Sequence, residues 1–107
     1  MEASHNLGEF EQIVLLAALR LGEEAYGVAI RGVIKEHTGR AVMPGALYTT
    51  LDRLEGKGLV TSRLGDPTPE RGGRAKRFYR VTPTGTAAIA RAQRCYQSLL
   101  DGLQLLG

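Results

Sequence analysis

Cysteine occurs once in the 107 residues, at Cys95, and tryptophan is absent. A lone cysteine excludes an internal disulfide and with it a disulfide-stapled secreted fold, so a reducing, cytoplasmic setting is expected. No run of about 18 apolar residues occurs, so neither a membrane span nor a membrane partner is expected. The opening MEASHNLGEF is acidic where a secretory leader is basic and then apolar. Ser, Thr, His and Asp fall into no recognisable catalytic constellation, and no glycine-rich phosphate loop occurs, so the chain does not read as an enzyme. His5 and His37 share no ligand spacing with each other or with Cys95, so no metal and no other cofactor is implied.

Against these absences stands RGGRAKRFYR at residues 71–80, which holds five cations and no acid. The net charge of +3 is mild, but it is unevenly spread. Residues 1–30 set one base, Arg20, against five glutamates. Residues 31–65 carry six bases and three acids, and residues 66–107 seven bases and three acids. Such asymmetry fits an anionic partner for the middle and end of the chain, and equally a solvated basic surface.

The length suits one domain. Asn6-Leu7-Gly8-Glu9 has the form of a capping box, with Asn6 as N-cap. Phe10, Ile13, Val14, Ala17, Ala18 and Leu21 then follow helical spacing up to Gly22. A second helix is predicted from about Ala25 to His37, burying Ile30, Val33 and Ile34 and turning Arg31, Lys35 and Glu36 to water. Pro44 suits the first position of a third helix. Leu47, Tyr48, Leu51 and Leu54 form that helix's apolar stripe, and Gly58 closes it. Its opposite face shows Gly45, Ala46, Thr49, Thr50, Arg53 and Lys57. Leu59–Leu64 and Ala75–Val81 read as two strands of a hairpin, with Val60, Leu64, Tyr79 and Val81 facing in. GDPTPERGGR forms the turn-rich tip between them. Thr82-Pro83 starts a last helix running towards Leu106.

The fold is therefore mostly α with a β-hairpin: three helices, a hairpin and a final helix, the plan of a winged helix-turn-helix. In that plan the third helix is the reading element and the hairpin is the wing. Glycines let a wing tip approach a phosphate backbone, and Arg74 and Lys76 neutralise phosphates there. Pro44 and Gly45 open the third helix, where N–H groups and small side chains suit an anion. Thr49 is placed to meet a thymine methyl or a base edge, with Arg53 on the same face. The rival reading is a winged-helix module that binds protein instead of DNA. It calls for apolar groups on the third helix's outer face, and Thr49, Thr50 and Arg53 argue against it.

IVLLAAL, AYGVAI, PGALYTTLDRLEGKGLV and RAKRFYRVTPTG together resemble the PadR family of winged-helix transcription factors. The resemblance runs from about Leu7 to Leu106, and the single C-terminal helix is similar to the smaller PadR subfamily. It implies a dimeric, repressor-like protein that binds double-stranded DNA, with the third helix in the major groove and the wing on adjacent backbone. It also implies that the Tyr48 phenol packs on the core and reaches a phosphate, where simple core packing is the alternative. Family members often carry Ser or Thr before the third helix's proline; Met43 stands here. Some bind planar aromatics between tryptophans, a mode this sequence cannot reproduce. The identity of any small-molecule effector is left open.

In the last helix Ile89, Ala92, Tyr96, Leu99, Leu103 and Leu106 are spaced alternately three and four residues apart, an a/d seam for a homodimer. The first helix is expected to add Phe10, Ile13 and Val14 to that interface. The alternative is that the stripe only covers the chain's own first helix. The chain divides accordingly into a DNA-binding domain, residues 1–82, and a dimerisation helix, residues 83–107. Cys95 is expected as a buried structural thiol and not a sensor.

Overall fold

The computed structural model describes residues 6–65 and 75–105. Arg74, Leu106, His5 and the tip of the basic loop lie outside them. Helix α1 spans Glu9–Leu21, and a single 3-10 turn follows at Gly22–Glu24. Helix α2 spans Gly27–Thr38, α3 spans Pro44–Gly56 and α4 spans Pro83–Leu100. Strands β1, Val60–Leu64, and β2, Arg77–Val81, lie between α3 and α4. They pair antiparallel from Val60 opposite Val81 to Leu64 opposite Arg77. This is the helix–helix–helix–hairpin–helix order of the winged helix.

α1 buries Val14, Leu15, Ala17 and Ala18 and ends at Gly22, whose φ of 60° and N–H to Ala18 close the last turn. Its N-cap is Gly8 and not Asn6. The reason is Glu11, whose carboxylate accepts the Gly8 N–H at 2.9 Å. The same carboxylate accepts from Lys57 Nζ at 2.9 Å, tying the start of α1 to the end of α3. Burial acts to raise the Glu11 pKa. The Lys57 and Gly8 hydrogen bonds and the charges of Lys57 and Arg53 outweigh it, so the net shift is downward. Glu9, expected in the box, instead faces Arg40 at 3.7 Å.

α2 starts two residues later than the sequence suggests, because Tyr26 is extended and both Ala25 and Tyr26 pair with β2. The Tyr79 N–H donates to the Ala25 carbonyl at 2.8 Å, and Tyr26 bridges Phe78. Ile30 and Ile34 fill the core, and Gly39 ends the helix in the left-handed region at φ 74°. Arg31, expected in water, is half-buried: its Nε donates to the Val42 carbonyl at 2.7 Å and fixes the approach to α3.

α3 buries Leu47, Leu51 and Leu54 completely. Thr50, expected on the polar face, is buried with them, since it lies three residues after Leu47 and four before Leu54. Leu64 also departs from expectation. It sits at the far end of β1, beyond the edge of the core, and is 60% exposed.

The turn from β2 into α4 is a dense joint. Thr82 Oγ1 accepts the Gly85 N–H at 3.0 Å and donates to the Gly58 carbonyl at 2.8 Å. A Cβ at Gly85 would overlap the Leu59 carbonyl, so only glycine fits there. α4 stops at Leu100, and Gly102 turns the chain at φ 85°. Leu103 therefore lies past the helix, off the seam's helical register. Two other seam residues need correction: Val14 and Ile89 are buried inside the chain itself, with no surface left for a second copy. Cys95 is exposed, not buried, because α4 has left the core by that turn. No helix among the described residues is long and apolar enough to cross a membrane.

Candidate nucleic-acid interface

With Leu47, Thr50, Leu51 and Leu54 inward, the helical period places Gly45, Thr49, Asp52 and Gly56 along the crest of α3. All four are exposed. Tyr48 flanks this crest on the hairpin side, and Arg53 flanks it on the side whose charge reaches Glu11. The crest is polar and low, so a flat or grooved surface can come close to the helix backbone.

Both helix starts beside the crest lack side-chain caps. Met43, the N-cap of α3, is 71% exposed and its side chain accepts no hydrogen bond from the first turn; Pro44 follows at N1. Tyr26 likewise leaves the first turn of α2 without a side-chain acceptor. Such N–H groups and the helix dipole favour anions. Tyr48 joins the two starts. Its hydroxyl lies over Gly27, and a Cβ at Gly27 would overlap it. The Tyr-Gly pair of α2 and the Tyr of α3 are thus one device: glycine makes the berth and the phenol occupies it, 42% exposed.

Between α3 and the hairpin runs a groove of about 980 Å³ lined by Tyr26, Tyr48, Asp52, Lys76 and Arg77, among others. Lys76 Nζ lies 4.1 Å from the centre of the Tyr26 ring. Tyr26 meets Phe78 edge-on at 5.5 Å, and the Arg63 guanidinium stacks over Phe78 at 4.7 Å. This cation–aromatic ladder holds two positive groups at the root of the wing. The remaining cations differ in their engagements. Arg77 turns towards α3 and donates to Ser62 Oγ at 3.1 Å, and that hydroxyl donates to Glu55 at 3.0 Å. Arg80 pairs with Glu23 at 2.9 Å. The basic run is therefore partly neutralised, a pairing its sequence does not reveal.

The fold thus brings Tyr48 and Lys76 to one groove and sets Pro44, Gly45, Thr49 and Arg53 on the adjoining exposed face. Arg74 lies outside the described residues. The sequence reading missed Tyr26, Gly27 as the berth for Tyr48, and Asp52 on the crest. A helical wheel of α3 would have found Asp52. The Gly27 berth depends on contact between two helices and left no local signal. Among the described residues, no group of three His, Cys, Asp or Glu is placed to hold a metal ion.

A family model described as the transcriptional regulator PadR-like family matches residues 15–91, from the middle of α1 into α4. The chain belongs to the PadR-like family of transcriptional regulators. The transcriptional regulator Rv3488 of Mycobacterium tuberculosis is 41% identical over 78 residues, covering 71% of this chain and 66% of that relative's length. A PadR family regulator from Eggerthella lenta superposes with a TM-score of 0.69 at 28% identity, over 88% of this chain and 81% of its own. The hsRosR-SG complex superposes with a TM-score of 0.73 at 27% identity, over 92% and 80%. The family match takes in α3, β1, β2 and the first half of α4, so this PadR-like chain shares the elements that build the groove.

Proposed function

We propose that this PadR-like regulator is a cytoplasmic, sequence-specific repressor that binds double-stranded DNA as a homodimer on a pseudo-palindromic operator. The observation that carries the reading is the α3 crest of Gly45, Thr49, Asp52 and Gly56, flanked by two uncapped helix starts and by Lys76. α3 enters the major groove, Thr49 and Arg53 read base edges, and Tyr48 and Lys76 hold phosphates on either side of the groove between α3 and the wing. Pro44 and Gly45 let the α3 start approach the backbone. Arg74 extends the phosphate contacts along the wing.

The dimer reading rests on a different surface. Leu16 and Leu19 on α1 are 40% and 39% exposed, and Tyr96 and Leu99 on α4 are 50% and 76% exposed. Clusters of exposed large apolar groups on packed helices mark association surfaces. Ile13 lines one groove with Leu16 and Leu19, and Ala92 lines another with Tyr96 and Leu99, whereas the half-buried Phe10 lies under the Arg40 guanidinium. Two copies related by a twofold axis present two α3 helices about one DNA turn apart, and occupancy blocks polymerase.

Enrichment of bound duplexes from a random pool, followed by binding to the enriched sequence across a salt series, tests the whole reading. A palindromic consensus and affinity falling by orders of magnitude between low and moderate salt are expected. No enrichment, or a flat salt response, would overturn it in favour of a protein-binding module.

A further inference from the structure

Asp52 is the one acid on the crest of α3. Gly45, Thr49 and Gly56, its neighbours along that line, are all smaller or uncharged, so Asp52 projects farthest towards whatever faces the helix centre. The other acid on this side, Glu55, is held by Ser62 at 3.0 Å. Among the described residues the Asp52 side chain makes no hydrogen bond and no ion pair. The two cations across the groove are engaged elsewhere: Lys76 lies over Tyr26, and Arg77 donates to Ser62 Oγ at 3.1 Å. The Asp52 carboxylate is therefore tied to no partner among the described residues, yet it stands where the proposed ligand carries dense negative charge.

A carboxylate in that position repels phosphate and weakens binding to DNA in general. It is compatible with close docking only where a donor meets it. In the major groove guanine offers two acceptors, O6 and N7, and thymine offers O4 and a methyl group. Adenine offers its amino group beside the N7 acceptor, and cytosine offers the N4 amino group without an adjoining acceptor. A carboxylate, which only accepts, fits cytosine best and opposes guanine and thymine. Specificity then arises by repulsion of the wrong base as much as by attraction to the right one.

We infer that Asp52 is a specificity-determining residue that accepts a hydrogen bond from the N4 amino group of a cytosine in each operator half-site. The inference rests on the DNA-reading role proposed above. Random-pool enrichment with the full-length wild type, Asp52→Ala and Asp52→Asn tests it. The wild type should favour cytosine over guanine at one position of each half-site by at least about tenfold. Asp52→Ala should lose that preference at that position alone, keep the rest of the consensus, and bind mixed-sequence duplex several-fold more tightly at low salt. Asp52→Asn carries a donor beside an acceptor and should move the preference to adenine. Both variants should melt with the wild type, because the side chain is exposed. An Asp52→Ala consensus identical to the wild type at every position would overturn the assignment of Asp52 alone. A wild type that enriches no sequence would overturn the DNA-reading role, and this inference with it.

Discussion

α3 and α4 carry similar sequence patterns and have different fates. In α3 the apolar positions Leu47, Leu51 and Leu54 are all fully buried by the chain's own core. In α4 exposure climbs along the stripe, from 3% at Ile89 to 50% at Tyr96 and 76% at Leu99. The difference lies in what is within reach. α3 is enclosed by α1, α2 and β1, whereas α4 packs on α1 and β2, and its later residues Tyr96 and Leu99 line only an open groove with Asn6, Leu7 and Gln12. Periodicity identifies an apolar face; the surrounding fold decides whether that face is already covered. A stripe that begins buried and ends bare fits the proposed homodimer, in which Ile89 anchors the helix and Leu99 meets the second copy.

The sharpest way to break this comparison is to change one residue of each stripe. Leu51→Ala removes side-chain volume from a fully buried site and should cost about 3 kcal/mol of folding stability. Thermal melting should fall by more than about 10 °C for a domain of this size. Leu99→Asp should leave the melting of the isolated fold nearly unchanged while splitting the proposed dimer. Operator affinity should then drop by at least about a hundredfold, because each half-site binds alone. Sedimentation velocity at micromolar concentration reads the splitting of the dimer, and operator titration reads the fall in affinity. A wild-type monomer, or a Leu99→Asp dimer that binds normally, would show that the stripe serves no association.

The leucines of the α3 stripe (though not Tyr48, which is 42% exposed), the Gly22, Gly39 and Gly58 stops and the Thr82-Pro83 start were legible because each is a local signal with a local cause. So was the order of elements, and with it the winged helix. What the sequence hid was set by contacts between elements. Glu11 draws the N-cap of α1 to Gly8 because Lys57, distant in sequence, holds the same carboxylate. Ala25 and Tyr26 delay α2 because β2 needs a partner on its second edge. Thr50 is buried by its place between two leucines, which its polarity disguised. Val14 and Ile89 match an interface pattern but are already enclosed. Cys95 shares α4 with Tyr96 and Leu99, yet those side chains are themselves exposed. In the site, Tyr48 and Gly27 are a matched pair whose fit emerges only when α2 and α3 are packed together.

The Glu11–Lys57 pair sharpens the contrast by pinning the end of α3, a tie that α4 lacks among the described residues. The Glu11 carboxyl group is 8% exposed and titrates below its usual range, so its charge stabilises the fold. Its folded pKa is depressed, so that contribution is complete above the ordinary value of 4.5 and is lost as pH falls through the folded one. Glu11→Gln should cost about 1–3 kcal/mol near neutral pH. The gap between variant and wild type should close as the pH is lowered below that range. Urea unfolding at a series of pH values measures it, and a gap that is constant with pH would mean that the carboxylate's charge contributes nothing.

The smallest expected effect separates the cations around the groove from one another. Lys76 lies over Tyr26 with its ammonium group on the groove, whereas Arg80 is paired with Glu23 at 2.9 Å. If Lys76 meets a phosphate, Lys76→Ala leaves one phosphate per protomer without its cation. The slope of log affinity against log salt should lessen by about 0.9 for each phosphate no longer neutralised. Affinity for the operator and for mixed-sequence duplex should fall by similar factors, since a phosphate carries no base information. Arg80→Ala should leave the slope close to wild type, because Glu23 already offsets that charge. Neither variant touches the α1–α4 surface, so both should sediment as the wild type does, in contrast to Leu99→Asp. Equal slopes for Lys76→Ala and wild type, or a larger change in Arg80→Ala, would move the phosphate path from the α3 groove to the opposite face of the hairpin. That face carries Arg63, Phe78 and Arg80.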